Sequence, residues 1–213
     1  MLHFIHNTYN RPNQVILTSS IEKGIFPECN HLIVYNNNDL KFSEITNTNY
    51  FYMGENKGHK AGCINSIYSG LKWLIENKSM SDNDIVVFSH DDVYLSNPDK
   101  FKIYLQMMEC FNLISRIYTG ERSISSSPYI MIESLIIDIN LAKKMITNYE
   151  YNGIDEKSLP LDRRESPSPE MYFGEKVFNN TNKCHFIEIK ENNYGENALG
   201  YFHIKNKRGN GEL

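Results

Sequence analysis

The chain has no apolar run approaching the ~20 residues that cross a bilayer, and no surplus of positive charge. With a formal net charge of −4, it offers no basic footprint for a nucleic-acid backbone, so nucleic acid is excluded as a partner. Cysteine is scarce. Cys29, Cys63, Cys110 and Cys184 lie far apart, without the paired spacing of a metal knuckle, and read as small hydrophobes kept reduced in a cytosolic setting. Tryptophan occurs once, as Trp73 on an apolar helix face, where packing is the simplest role. Internal repeats are lacking too. The first residues read as a strand and not as a secretory leader. The expectation is a cytoplasmic protein without a transmembrane segment, whose work at a membrane requires peripheral recruitment.

What is present is a globular pattern. Hydrophobic residues make up 40% of the chain and charges of both signs are mixed, as in one packed domain of this length. Strand-like runs at 2–6, 31–35 and 50–53 alternate with a helix at 13–23 and an amphipathic helix at 60–77. That second helix carries Ile64, Ile67, Tyr68, Leu71, Leu74 and Ile75 at helical spacing. The continuous apolar run 84–89 reads as a strand buried on both faces. Strands alternating with helices imply parallel pairing and an α/β fold.

Beyond residue 95 the pattern becomes mixed. A helix at 99–111 precedes strands at 113–118 and 129–137, then a helix at 140–148. A Pro-, Ser- and charge-rich stretch, 154–169, is long enough to mark a functional loop. A helix at 169–178, a strand at 184–189 and a polar tail follow. The reading is one domain over 1–213, with a nucleotide-binding half at 1–95 and an acceptor-facing half at 96–213.

Five clusters carry candidate chemistry. Asp91 and Asp92 follow the buried strand, where open α/β sheets bind ligands, and hard oxygen ligands there suit Mg²⁺ or Mn²⁺. The plain alternative is a turn or helix cap. In ENKGHKAGCIN, 55–65, Asn56, Gly58, Lys60 and Asn65 surround a helix start that favours phosphate. In TYNRP, 8–12, Thr8, Tyr9 and Arg11 stand where a base or ribose can dock, although a polar turn before a helix looks the same. Glu170 opens the helix at 169, and Asp162 and Glu165 precede it. His203 and Lys205 lie in the tail. The remaining histidines show no ligand spacing and read as structural, with His59 the least settled because it adjoins Lys60.

Taken in order, TYNRP, Asn56–Gly58–KAGCIN and the HDD triplet at 90–92 resemble the nucleotide-sugar glycosyltransferases of the GT-A fold, closest to the large inverting family 2. The resemblance covers most of residues 1–95 and runs more loosely to about 178. It implies a Rossmann-like single domain with a central, mostly parallel sheet flanked by helices. It also implies a metal motif, here with His90 in place of the first acid, so that Asp91 and Asp92 compete for the main ligand role and Asp92, last of the triplet, is favoured. Glu170 would be the acceptor base, with Met171 replacing the second acid of the usual pair. His203 would join the metal and Lys205 the diphosphate. The implied activity is transfer, with inversion, of a hexose-type sugar from a UDP-sugar or similar donor to a saccharide or glycolipid acceptor, as in polysaccharide biosynthesis. The replacements at His90 and Met171 keep a non-catalytic glycan- or nucleotide-binding module in view. A sugar nucleotidyltransferase would want a glycine-rich loop that TYNRP does not supply.

Overall fold

A computed structural model describes residues 1–42, 47–120, 128–189 and 199–203. The front half runs β1 (Leu2–Thr8), α1 (Pro12–Ile25), β2 (Asn30–Tyr35), β3 (Thr48–Tyr52), α2 (His59–Asn77) and β4 (Ile85–His90). Then come β5 (Val93–Leu95), α3 (Pro98–Met107), β6 (Leu113–Tyr118), β7 (Tyr129–Ile130), β8 (Ser134–Asp138) and α4 (Ile139–Met145). The described part closes with α5 (Pro169–Phe178), β9 (Cys184–Ile189) and β10 (Tyr201–His203).

The main sheet is mixed, in the order β3-β2-β1-β4-β8-β6-β7, with β9 paired to β6. Its front half is parallel throughout, β4–β8 is antiparallel, and β6 pairs in parallel with β9. The α/β expectation therefore holds, with every antiparallel pair involving a strand of the back half. Alternating residues feed two cores. Ile5, Val34, Val86 and Phe88 pack under α2, α4 and α5, while Phe4, Val87, Ile114 and Ile136 pack under α1, α3, β5 and β10. Helix α2 lies so close to the sheet that a Cβ on Gly70 would come within 2.7 Å of the Ile5 Cγ2 methyl.

Three sequence expectations are corrected. The run 129–137 is two strands, because 131–133 leaves the ladder between β7 and β8. The tail is not merely polar: Tyr201–His203 forms β10, which pairs antiparallel with β5 in a small second sheet. The helix expected at 99–111 ends at Met107. Among the described residues, no helix is long and apolar enough to cross a membrane.

Candidate active site

Strand register builds the site. Pairing of β1 with β4 sets Asn7 opposite His90, so TYNRP and the HDD triplet emerge side by side from the carboxyl edge of the sheet. The Thr8 hydroxyl donates to Asp91 Oδ2 at 2.7 Å and accepts the Arg11 amide at 3.0 Å, which shapes the turn into α1. Pro12 starts that helix at a position where a missing N–H costs nothing. Arg11 Nη1 lies 3.6 Å from both Asp91 Oδ1 and Asp92 Oδ2.

Two cavities meet here. The first, ≈ 380 Å³, is lined by Thr8, Tyr9, Arg11, Tyr35, Asn36, Asn56, Gly62 and Asp91, among others. The second, ≈ 590 Å³, holds Lys60, Tyr129, Glu133, Asp162, Arg164, Ser166 and Glu170. His59, Cys63, His90 and Asp92 line both and form the seam.

Two part-buried carboxylates share one guanidinium here. Burial pushes the Asp91 carboxyl above the usual range and Asp92 adds to this, while the Thr8 hydrogen bond and Arg11 pull it back. His90 Nε2 is buried at the seam without a hydrogen-bond partner. Two carboxylates and a free imidazole nitrogen fit a divalent ion such as Mn²⁺ or Mg²⁺. Burial, then Glu170 and the neighbouring Asp92, Asp91 and Glu133 carboxylates, push the Cys63 thiol up to about 12, away from the reactive thiolate form.

In the second cavity, Ser168 caps α5 by accepting the Met171 amide at 3.2 Å, and its hydroxyl donates to Glu170 Oε2 at 3.1 Å. Burial raises the Glu170 carboxyl, and the nearby Glu133 charge raises it further, against hydrogen bonds from its own amide, Ser168 and Tyr129. A carboxylate held above its ordinary range in a cleft is suited to take a proton near neutral pH.

Several expected site residues are placed differently. Asn65 lines neither cavity. It is fully buried, donating to Ile154 O at 2.7 Å and accepting from the Ile154 amide at 3.0 Å and the Tyr149 hydroxyl at 2.9 Å. It clamps the loop after α4 to α2. Asn65→Ala is therefore expected to cost about 1–3 kcal/mol in urea unfolding, as orphaned buried groups do. Gly58 lines neither cavity either, and its φ of +102° is a backbone conformation that glycine favours at the start of α2. Lys60 opens on the second cavity and hydrogen-bonds Ser166 Oγ, not the first cavity. If the second cavity receives an acceptor and the first a nucleotide donor, Lys60→Ala raises the acceptor KM and leaves donor affinity intact, as checked by calorimetry beside steady-state kinetics.

Of the fallback bases, Asp162 lines the second cavity, but its Oδ1 is engaged by the Arg164 and Ser166 amides. Glu165 is exposed and lines neither cavity. His203 closes β10, its backbone opposite Val93, and Lys205 lies outside the described residues. Glu133 was missed. It leaves the ladder between β7 and β8 and faces the second cavity, with Oε1 3.3 Å from the fully buried guanidinium of Arg116. The available signal was Arg116 itself, a lone charge in the apolar strand LISRIY, which requires a buried counter-charge.

No protein-family profile matches the chain, and no curated protein sequence does. Solved structures do. A glycosyltransferase involved in glycosylation of the major capsid of PBCV-1 superposes with a TM-score of 0.55 at 10% identity, over 97% of this chain and 96% of that one. The bifunctional IspDF of Campylobacter jejuni matches with a TM-score of 0.52 at 13% identity over 89% of this chain, which spans 50% of that protein's length. The galactosyltransferase LgtC, solved with donor and acceptor sugar analogues, gives 0.50 at 10% identity over 86% of this chain and 72% of that one. At such identities the likeness is one of fold.

Proposed function

We propose that this chain, whose fold is that of the nucleotide-diphospho-sugar transferases, transfers a sugar from a nucleotide-sugar, such as a UDP-sugar, to the hydroxyl of a saccharide or glycolipid acceptor. The observation that carries the reading is the seam: Asp92 lines both cavities, with a nucleotide-sized cleft on one side and a raised carboxyl, Glu170, on the other. Thr8, Tyr9, Arg11 and Asn56 surround the nucleoside and diphosphate, and Arg11 offers its guanidinium to the phosphate oxygens. His90, Asp91 and Asp92 would hold Mn²⁺ or Mg²⁺, which supplies positive charge to the departing diphosphate.

In the second cavity the acceptor hydroxyl gives its proton to Glu170. Its oxygen forms a bond to the anomeric carbon as the bond from that carbon to the diphosphate oxygen breaks, and the nucleoside diphosphate leaves. Attack from the Glu170 side, across the seam from the diphosphate, favours inversion.

The test is a donor panel. The protein is incubated with nucleotide-sugars, Mn²⁺ and mixed saccharide acceptors, and the released products are resolved. Release of nucleoside diphosphate with one donor supports the reading. Pyrophosphate formation from a nucleoside triphosphate and a sugar phosphate would instead assign nucleotidyl transfer, and binding without any release would leave a recognition module.

A further inference from the structure

A second cluster lies beneath α1, on the opposite face of the sheet from α2. His6 of β1, His31 of β2 and Glu22 of α1 are all buried, each at most 1% exposed. Their inward atoms, His6 Nε2, His31 Nδ1 and Glu22 Oε2, lie within 4.8 Å of one another. None of the three has a hydrogen-bond partner.

The outward atoms are all engaged. His6 Nδ1 is 2.7 Å from Ser89 Oγ, His31 Nε2 is 3.0 Å from Cys29 Sγ, and Glu22 Oε1 accepts the Tyr201 hydroxyl at 2.8 Å. When each outward ring nitrogen carries its proton and donates to its neighbour, both inward nitrogens present lone pairs toward the Glu22 carboxylate. That is how metal-binding histidines are oriented, with the far nitrogen fixed by an outer partner.

The contacts agree with shared coordination better than with a hydrogen bond. His6 Nε2 is 2.8 Å from Glu22 Oε2, yet that oxygen misses the direction of a ring N–H. His31 Nδ1 is 3.7 Å from the same oxygen, too far for a bond. With metal–ligand distances of about 2.0–2.2 Å, adjacent ligand atoms stand about 2.8–3.6 Å apart. The 2.8 Å spacing stands at the lower end of that range and the 3.7 Å spacing lies just beyond its upper end. A buried carboxylate also needs an opposite charge.

We propose that His6, His31 and Glu22 hold a structural divalent cation of the zinc class, separate from the carboxylate pair at the seam. Two imidazoles and one carboxylate favour Zn²⁺ over Mg²⁺, which prefers oxygen and retains water. Ser19 Oγ, buried and without a partner one turn before Glu22 on α1, offers a further oxygen on the same helix face. The ion would tie α1 to two strands. Through Glu22 and Tyr201 it would also brace β10, which pairs with β5 just beyond Asp92. This site stands whatever reaction the seam performs.

The test measures metal content by mass spectrometry after growth with added zinc and desalting into metal-free buffer. The wild-type chain is expected to retain about one zinc per molecule, and chelation to lower its Tm by several degrees. Asp92→Asn should keep that zinc, whereas His31→Gln and Glu22→Gln should lose most of it. Should those variants not fold, Co²⁺-loaded wild type must show visible d–d bands without the thiolate charge-transfer band that a cysteine ligand would give. Zinc-free wild type whose Tm ignores added Zn²⁺ overturns the proposal. So does zinc retained equally by both variants.

Discussion

Glu170→Gln is expected to lower turnover by about 10²–10⁴-fold, the usual loss when a general base is removed, while donor affinity stays unchanged. The amide keeps the size of the side chain and can still accept from Ser168, but it cannot take the acceptor's proton. Calorimetry with the nucleoside diphosphate, run beside the rate assay, separates the roles. Lost turnover with intact binding identifies the base, and loss of both marks a structural glutamate. Unchanged turnover would pass the role to Glu133 or Asp162, which line the same cavity.

The pH profile adds an independent check. Because burial and Glu133 raise the Glu170 pKa, the active carboxylate form is complete above that raised value and is lost as the pH falls through it. The acidic limb of turnover should therefore lie above the ordinary glutamate range of about 4.3. It should vanish in Glu170→Gln and move to lower pH in Glu133→Gln, since removing a neighbouring negative charge eases ionisation.

Asp92→Asn is expected to abolish most of the Mn²⁺-dependent part of donor binding. Losing an outer partner of a metal ligand already costs about 10–100-fold in affinity, so losing a ligand should cost at least that. Asp91→Asn should cost less, because Asp91 lines only the first cavity and its Oδ2 already accepts the Thr8 hydroxyl. The measurement is nucleoside diphosphate titrated with and without Mn²⁺. Equal metal-dependent gains in Asp92→Asn and wild type would remove the triplet from any metal role. A larger loss in Asp91→Asn would exchange the two assignments.

The amino-acid order alone specified the alternation of apolar runs and helices, and with it the α/β class. It also specified the polar turns that close β1 and β4, since period and turn chemistry are local properties of the chain. Glu170 at a helix start after a long polar loop was visible for the same reason. What local pattern cannot carry is which side chains converge. Thr8 and Asp91 are 83 residues apart and meet only because β1 pairs with β4 in one register. Asn56 and Asn65 belong to one motif, yet helix α2 turns Asn65 into the core while Asn56 stays at the cleft. Lys60 reaches the second cavity because the loop carrying Ser166 folds over it. Glu133 gains its charge partner across β6, and His6, Glu22 and His31 meet only through the packing of α1 on β1 and β2. Local periodicity therefore chose the elements, while long-range register and the close packing of helices on the sheet decided which polar groups were buried together and which were left facing the cavities.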